Sequence, residues 1–489
     1  MEINLQPDQI QRYLEDSSNL KGGFAEGVVF PKNADEISEF LKEANQKKIP
    51  ATVSGGGTGV TGGRIPFGGM VLSLEKLNRI LKIEKNKGGG GEAAAEAGVL
   101  LSDFQRCVAE KGLLYPPDPT ETTAFLGGTV AVNASGARTL KYGPTRDYVN
   151  SLKVVLPGGD RLQLERGQFL ADEKNNLNLI TAGGRRLTVP LPTYKMPAIK
   201  HQAGFFYEPG MDAIDLFIGS EGTLGVIYEI GLKLISKLKG LVSLLVFFDS
   251  ENKALEFVAA TRNYSKNFDF LAPIALEYLD KESLEILRQK YSEIPKNTYA
   301  ILYEQEIAPE ETENFLEKFL GYLEQQKALA DKTWTFSSEK EFEFLKEFRH
   351  SLPELVNEKI KRLGILKIGT DLAVPDEKIF EMMAFYRQAI ADLAVEAVIF
   401  GHIGNNHFHV NFFPKNEAEV KKVKNAYLVF VRKAVALGGT VSAEHGIGKT
   451  KHEYLKELYS EKGLQEMAAI KKIFDPNWIL NRDDVIPPA

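Results

Sequence analysis

Two periods of apolar residues divide the chain. Near the N-terminus, Ile37, Phe40 and Leu41 share one face of a helix over about 34–46, entered through Asn33 and Glu36 at capping-box spacing. A β-branched run, PATVS, follows it, then a glycine-rich loop, then the strand-like MVLSL; a second short helix is expected at about 101–111. From about 240 to 400, LVSLLVFF, PIALEYL, TYAILYE and DLAVP read as strands between helical stretches such as ETENFLEKFLGYLEQQ. That pattern predicts helices on one face of an antiparallel sheet. The remainder holds FHVNFFP, the helix AEVKKVKNAYLVFVRKAVALGG, the turn TVSAEHGIG and a last helix. In NNHFHVNFF the period of two puts His407, His409 and Asn411 on one face and Phe408, Val410 and Phe412 on the other.

At 489 residues the chain exceeds one ordinary core, so several domains are expected. The change of pattern divides it into 1–235, a mixed α/β part; 236–400, an α+β part; and 401–489, a C-terminal segment. Within the first part 187–212, with four prolines and little periodicity, reads as a long excursion covering a site. A net charge of -6 argues against nucleic acid or a general anionic surface as partner. The single cysteine, Cys107, excludes disulfides within the chain and a chain-borne iron–sulfur cluster. No apolar run reaches the roughly 18 residues of a membrane span, and the polar N-terminus has no signal-peptide apolar region, so the cytoplasm is expected.

The glycines concentrate in three blocks. VSGGGTGVTGG contains Gly57-x-Gly59-x-x-Gly62, the spelling of a dinucleotide-binding turn, with Glu75 about where a ribose-binding acid would stand. Eight glycines and Pro66 between Val53 and Met70 leave no room for the crossover helix that two parallel strands are expected to require, so the Rossmann reading is rejected. Such a loop can still wrap a pyrophosphate with its free N–H groups, and a plain linker is the alternative. A second block, Tyr115 to Val149, has Pro116, Pro117 and Pro119 at its entry, Gly127 and Gly128 for close approach, and Asn133, Ser135 and Gly136 for polar contact. A third places Gly219, Gly222 and Gly225 around Glu221. Together they would line a long cofactor channel.

Four of seven histidines fall in GHIGNNHFHVN and SAEHGIG. His402 and His409 can converge on one ion, with Glu444 and His445 supplying a carboxylate and a further imidazole. Hydrogen-bonded histidines on a solvated strand face are the alternative.

SGGGTGVTGG, PPDP, GGTVAVNASGARTLKYGPTRDYV, GSEGTLGVI, GHIGNNHFHVN and SAEHGIG, in that order, resemble the FAD-linked oxidases of the vanillyl-alcohol oxidase superfamily. Within it they are most similar to the group of D-lactate dehydrogenases, flavin-bearing glycolate oxidase chains and D-2-hydroxyglutarate dehydrogenases. The resemblance implies an α+β fold: a two-subdomain FAD-binding domain of the p-cresol methylhydroxylase type over 1–235, a substrate-binding cap with an antiparallel sheet over 236–400, and a C-terminal segment carrying the metal and catalytic residues back to the flavin domain. It implies non-covalent FAD contacts at Ser54, Gly55, Gly56, Gly57, Thr58, Gly59 and Gly62, since Ser54 rather than histidine precedes the glycines. Further contacts would come from Pro117, Asp118, Gly127, Gly128, Asn133, Ser135, Gly136, Tyr142, Glu221, Gly222, Val226 and Asn481. His402, His409 and Glu444 match the family's ligands for a divalent metal, zinc or manganese, His445 its catalytic histidine, and Arg349 the cap arginine that grips the substrate carboxylate. Lys367 is a further candidate in the cap.

This chain departs from the family twice. Where the family usually reads Gly-Asp-Gly-Asn it has Gly404-Asn405-Asn406-His407, and ILNRDDVIPPA replaces the usual Asn-Pro-Gly-Lys. The reaction implied is oxidation of a D-2-hydroxy acid to the 2-oxo acid: Arg349 pairs with the carboxylate, the metal acidifies the 2-hydroxyl, His445 takes its proton, and hydride passes to flavin N5. Electrons would leave to a quinone, an electron-transfer flavoprotein or an iron–sulfur protein. A homodimer and peripheral attachment to a membrane are compatible with the resemblance. Rival readings are an ether-building alkylglycerone-phosphate synthase, a non-catalytic oxidase subunit, and a sugar or alcohol oxidase.

Overall fold

The structure is a computed structural model and describes residues 1–267, 270–364 and 368–487. Its first sheet has strand order Glu2–Asn4, Gly27–Phe30, Met70–Ser73, Ala51–Ser54. Helix Ala34–Lys47 crosses from Gly27–Phe30 to Ala51–Ser54 and buries Ile37, Phe40 and Leu41 as its pattern predicts. Asn33 accepts the Glu36 N–H at 3.0 Å, but the Glu36 carboxylate reaches back to the N–H of Lys32 rather than of Asn33. One expectation is corrected here. Ala51–Ser54 and Met70–Ser73 pair in parallel, from Ala51 opposite Met70 to Ser54 opposite Ser73, although no helix joins them. A parallel return needs roughly a dozen residues of chain, and the loop 55–69 supplies that length without helix.

The second sheet is antiparallel, in the order Ile80–Lys85, Gly91–Glu96, Val226–Ser236, Val149–Val155, Arg161–Glu165, with Leu113–Leu114 on the long strand. The segment expected to be irregular from 187 begins instead as a hairpin, Asn176–Ile180 with Arg186–Pro190, and only then loses regular structure.

A third, eight-stranded sheet carries the chemistry-bearing histidines. Its order runs Trp334–Phe336, Val242–Phe248, Tyr299–Gln305, Pro273–Leu279, Ala397–Gly401, His407–Phe412, Ile368–Gly369, with Leu372–Ala373 also on His407–Phe412. The hairpin of Ala397–Gly401 and His407–Phe412, with Phe400 opposite His409, spans the division expected at 400/401. Phe408, Val410 and Phe412 are fully buried in the main core, so the alternation aims the histidines the other way. After helices Glu417–Ala436 and His452–Phe474 the chain returns to the first sheet. There the Ala51 N–H donates to the Ile479 carbonyl at 2.7 Å, and the Asn481 N–H to the Ala51 carbonyl at 3.0 Å. Among the described residues no helix is long and apolar enough to cross a membrane.

Candidate active site

The hairpin turn sets the site. Gly401 has φ 144°, and a Cβ there would stand 2.7 Å from the His407 carbonyl oxygen, so only glycine lets the strand turn onto His402. A short 3-10 turn, Ile403–Asn405, and left-handed Asn406 then return the chain to His407. His402, His407, His409 and Glu444 bring one potential ligand atom each within 4.8 Å of one another. The His402 Nδ1 lies 2.5 Å from Glu277 Oε1, and its Nε2 lies 3.2 Å from Glu444 Oε2. His409 donates from Nδ1 to the Thr370 carbonyl at 3.0 Å, which leaves Nε2 free as a donor to an ion. Burial disfavours a charged His402, yet Glu277 and Glu444 outweigh burial and raise its pKa to about 9. Burial, with His407 and His445 beside it, holds His409 well below the usual histidine value.

His445 stacks on His409 with ring centres 5.2 Å apart. Its backbone N–H donates to Asp371 Oδ2 at 3.1 Å, and the same oxygen accepts from Lys451 Nζ at 2.6 Å and Ser442 Oγ at 2.7 Å. Burial chiefly, helped by Lys451, lowers the His445 pKa to about 4 against the pull of Asp371, so the ring is a neutral proton acceptor near pH 7. Lys200 Nζ donates to Glu444 Oε2 at 2.9 Å.

Two cavities meet at this cluster. The first is lined by Gly55, Gly56, Gly57, Thr58 and Gly59 from one loop, by Gly127 and Gly128 of the short helix Leu126–Ala131 and Ser135 after it, and by Glu221, Gly222 and Asn481. His402, His409, Glu444 and His445 line it too. A Cβ on Gly59 or Gly128 would meet no atom within 4 Å, so these backbones leave the space clear for a ligand. This is the fit FAD requires: a glycine-walled channel whose other contacts reach imidazoles. Glu221 and Asn481 also brace the wall. Glu221 accepts the N–H of Ile447 at 2.7 Å and of Gly448 at 2.9 Å, and burial pushes its pKa up to about 7 against those bonds. Asn481 accepts the Val53 N–H at 2.7 Å and donates to the Glu221 carbonyl at 2.8 Å.

Other expected cofactor residues do not line this cavity. Ser54 is fully buried, with its hydroxyl on the Gly55 carbonyl at 3.3 Å. Gly62 packs on Leu20, and Gly136 lies against the Asp118 backbone. The Pro117 carbonyl accepts from Gln105 at 3.4 Å, Tyr142 packs beside Ala137 and Ile274, and Val226 is a fully buried strand residue opposite Val155. Asn133 accepts the Arg146 N–H at 2.8 Å and lines a separate cavity under the 193–209 excursion. Asp118 lines the second cavity instead.

That second cavity, about 540 Å³, shares His402, His409 and His445 with the first and extends to Arg349, Arg138 and Glu304. Arg349 is on helix Glu339–Leu363, four residues before Pro353. Proline has no N–H for the Arg349 carbonyl, so the helix lacks that one backbone bond at the residue facing the cavity. The Arg349 guanidinium lies 3.9 Å from Glu277 and 3.8 Å from Glu304, beyond hydrogen-bond reach, so its donors remain available to a carboxylate. Lys367 lies outside the described residues.

Sequence reasoning did not single out Glu277, Asp371, Lys200 or Lys451 as site residues. Each stands behind an imidazole or Glu444 from a different segment, and only the glutamate's place in a strand-like run and the GTD and GKTK flanks hinted at them. The donor set suits a divalent ion. It offers imidazoles and a carboxylate, and both ring nitrogens of fully buried His407 lack an aligned hydrogen-bond partner.

Residues 239–485 match the family described as FAD linked oxidases, C-terminal domain, and residues 25–165 match the FAD binding domain. Glycolate oxidase subunit GlcD of Bacillus subtilis is 31% identical to the chain, covering 96% of it and 90% of that protein. A D-lactate dehydrogenase of Anaerostipes hadrus is 30% identical over 93% of the chain and 88% of its own length. A D-2-hydroxyglutarate dehydrogenase of Stutzerimonas stutzeri is 28% identical over 97% and 94%. A solved alkyldihydroxyacetonephosphate synthase superposes with a TM-score of 0.67 at 15% identity, covering 98% of this chain and 82% of that one. At that identity the likeness is one of fold.

Proposed function

The chain belongs to the family of FAD-linked oxidases, and from that premise we propose that it oxidises a D-2-hydroxy acid of the lactate, glycolate or 2-hydroxyglutarate type to the 2-oxo acid. It is an FAD-dependent oxidoreductase acting on hydroxy acids. The observation that carries the detailed reading is the shared wall: a glycine channel and an arginine-bearing cavity meet at the same imidazoles.

Bound FAD supplies the acceptor for the C2 hydride, and a divalent ion supplies a Lewis acid for the 2-hydroxyl. The glycine loops and Ser135 hold the first; His402, His409 and Glu444 hold the second. Arg349 grips the substrate carboxylate with two charge-assisted bonds, which fixes C2 near the imidazole wall. His445, neutral near pH 7, accepts the hydroxyl proton at Nε2, while Asp371 and Lys451 anchor its turn from behind. The electron acceptor that would complete the turnover is a quinone, an electron-transfer flavoprotein or an iron–sulfur protein.

The test is anaerobic mixing of His445→Ala with a panel of D- and L-2-hydroxy acids. Flavin content should stay at the parent level, and bleaching by the D-acid should slow roughly 10²–10⁴-fold, the range of a lost general base. Bleaching at the parent rate would remove His445 from the reaction. Bleaching by no 2-hydroxy acid, in the parent protein as well, would favour the ether-building chemistry found on the same fold.

A further inference from the structure

We propose that His407 is a fourth protein ligand, through Nδ1, so that this chain holds its ion with three imidazoles and one carboxylate. The inference rests on the reading that the His402–Glu444 cluster binds a divalent ion. It goes beyond that reading in the number and kind of donors, and therefore in which ion the site prefers.

The three rings follow one plan. Each has an outer nitrogen beside an acceptor and an inner nitrogen turned to the cluster. His402 has Glu277 at 2.5 Å behind Nδ1, and His409 has the Thr370 carbonyl at 3.0 Å behind Nδ1. His407 has Asp371 Oδ1 at 3.0 Å behind Nε2. The inner His402 Nε2 and His407 Nδ1 approach one and the same oxygen, Glu444 Oε2, at 3.2 and 3.3 Å. Metal-binding histidines are commonly oriented in this way, by a carboxylate or carbonyl at the nitrogen that does not ligate.

His407 is 0% exposed, and the strand alternation that buries Phe408 and Val410 in the core directs it to the site. Yet neither of its ring nitrogens, nor Asp371 Oδ1, makes an aligned hydrogen bond, despite the short separations. Asp371 Oδ2 is fully engaged by Lys451, Ser442 and the His445 N–H, so Oδ1 remains for His407 alone. If His407 were merely an imidazolium bridging Asp371 and Glu444, both N–H groups would be expected to point along those contacts. Nδ1, 3.3 Å from Glu444 Oε2 with no aligned bond, is the nitrogen placed to turn a lone pair to an ion, while Asp371 flanks Nε2 by proximity alone.

Three imidazoles and a carboxylate make a nitrogen-rich set of four, which favours zinc over manganese more strongly than two imidazoles and a carboxylate. The site would then be closed at rest, and a substrate hydroxyl would have to add as a fifth donor or displace one.

Zinc-edge X-ray absorption on the zinc-loaded, flavin-containing protein counts imidazoles directly: three are expected. His407→Asn should show two, retain its flavin absorbance, and bind zinc about a hundredfold more weakly in competition with a chromophoric chelator, at least the loss typical of disturbing a ligand's support. Its preference for zinc over manganese should narrow as well. Two imidazoles in the parent protein, or unchanged zinc affinity in His407→Asn alongside loss in His402→Asn, would overturn the proposal and leave the three-ligand site standing. If the parent protein takes up neither zinc nor manganese and His402→Asn alters nothing, the underlying metal reading fails with it. The count on the parent protein decides the matter even where a variant does not fold.

Discussion

The glycine channel and the histidine pocket adjoin, yet they are built from opposite materials. The channel is largely backbone: the glycines of the loop 55–59 and of the helix turn at 127–128 work by carrying no side chain. The pocket is side chain: His402, His409 and Glu444 act through charge and lone pairs held by Glu277, Thr370 and Lys200 from distant segments. A channel of backbone should fail when an atom is added, by steric exclusion and often with the fold. A pocket of side chains should fail when an atom is removed, by loss of chemistry with the fold intact. The glycines themselves divide further, into those pressed against other backbone and those facing open space.

The sharpest break should come at Gly136. A Cβ there would fall 1.9 Å from the Asp118 carbonyl oxygen, and neither partner is a flexible side-chain end that could move aside. Gly136→Ala should therefore cost more than ~3 kcal/mol, at the upper end for overpacking, and should appear as little folded protein and no flavin uptake. Normal thermal unfolding with full flavin content would show that the 118–119 and 136 segments do not grip each other, and the backbone half of the contrast would fall.

Arg349 tests the other half. Removing a guanidinium that makes two charge-assisted bonds of ~1.5–3 kcal/mol each should lower kcat/KM by roughly 10²–10⁴-fold. Arg349→Met should do this mainly through KM, with flavin content unchanged, because its own ion pairs are long and Glu304 keeps Arg138 at 3.2 Å. Rates of flavin reduction against substrate concentration make the check. A variant that saturates like the parent would mean that another group, Arg138 foremost, receives the carboxylate.

The same contrast decides what could be read from the sequence. A glycine cluster announces itself, because a missing side chain is local information; the channel was legible even though its helix-free parallel crossover at 55–69 was not. The alternation 407–412 likewise foretold which face of the strand would carry His407 and His409. What stands behind each imidazole was not legible. Glu277 is 125 residues from His402, and no spacing rule connects them. Asp371 meets His407 and His445 only because Leu372–Ala373 pairs with His407–Phe412, a register that sequence alone leaves open. Gly62, Val226 and Asn133 show the limit from the other side. They belong to the glycine-rich motifs, yet they pack behind the first cavity's wall rather than lining it.

The smallest effect is also the most discriminating, because it should have two signs. Gly128 lies inside helix Leu126–Ala131, its φ is not positive, and a Cβ there would meet nothing within 4 Å. Alanine is the better helix former and leaves the unfolded chain less freedom, so Gly128→Ala should stabilise the flavin-free protein by ~0.5–1 kcal/mol. The same methyl group would project into the channel and weaken flavin binding by about tenfold, ~1.4 kcal/mol. Thermal unfolding with and without added FAD separates the two terms: the flavin-free midpoint should rise while the shift produced by FAD shrinks. A rise with an undiminished FAD shift would place the cofactor elsewhere in the channel; a fall in the flavin-free protein would mean that Gly128 belongs with Gly136, as a glycine required by its neighbours rather than by a ligand.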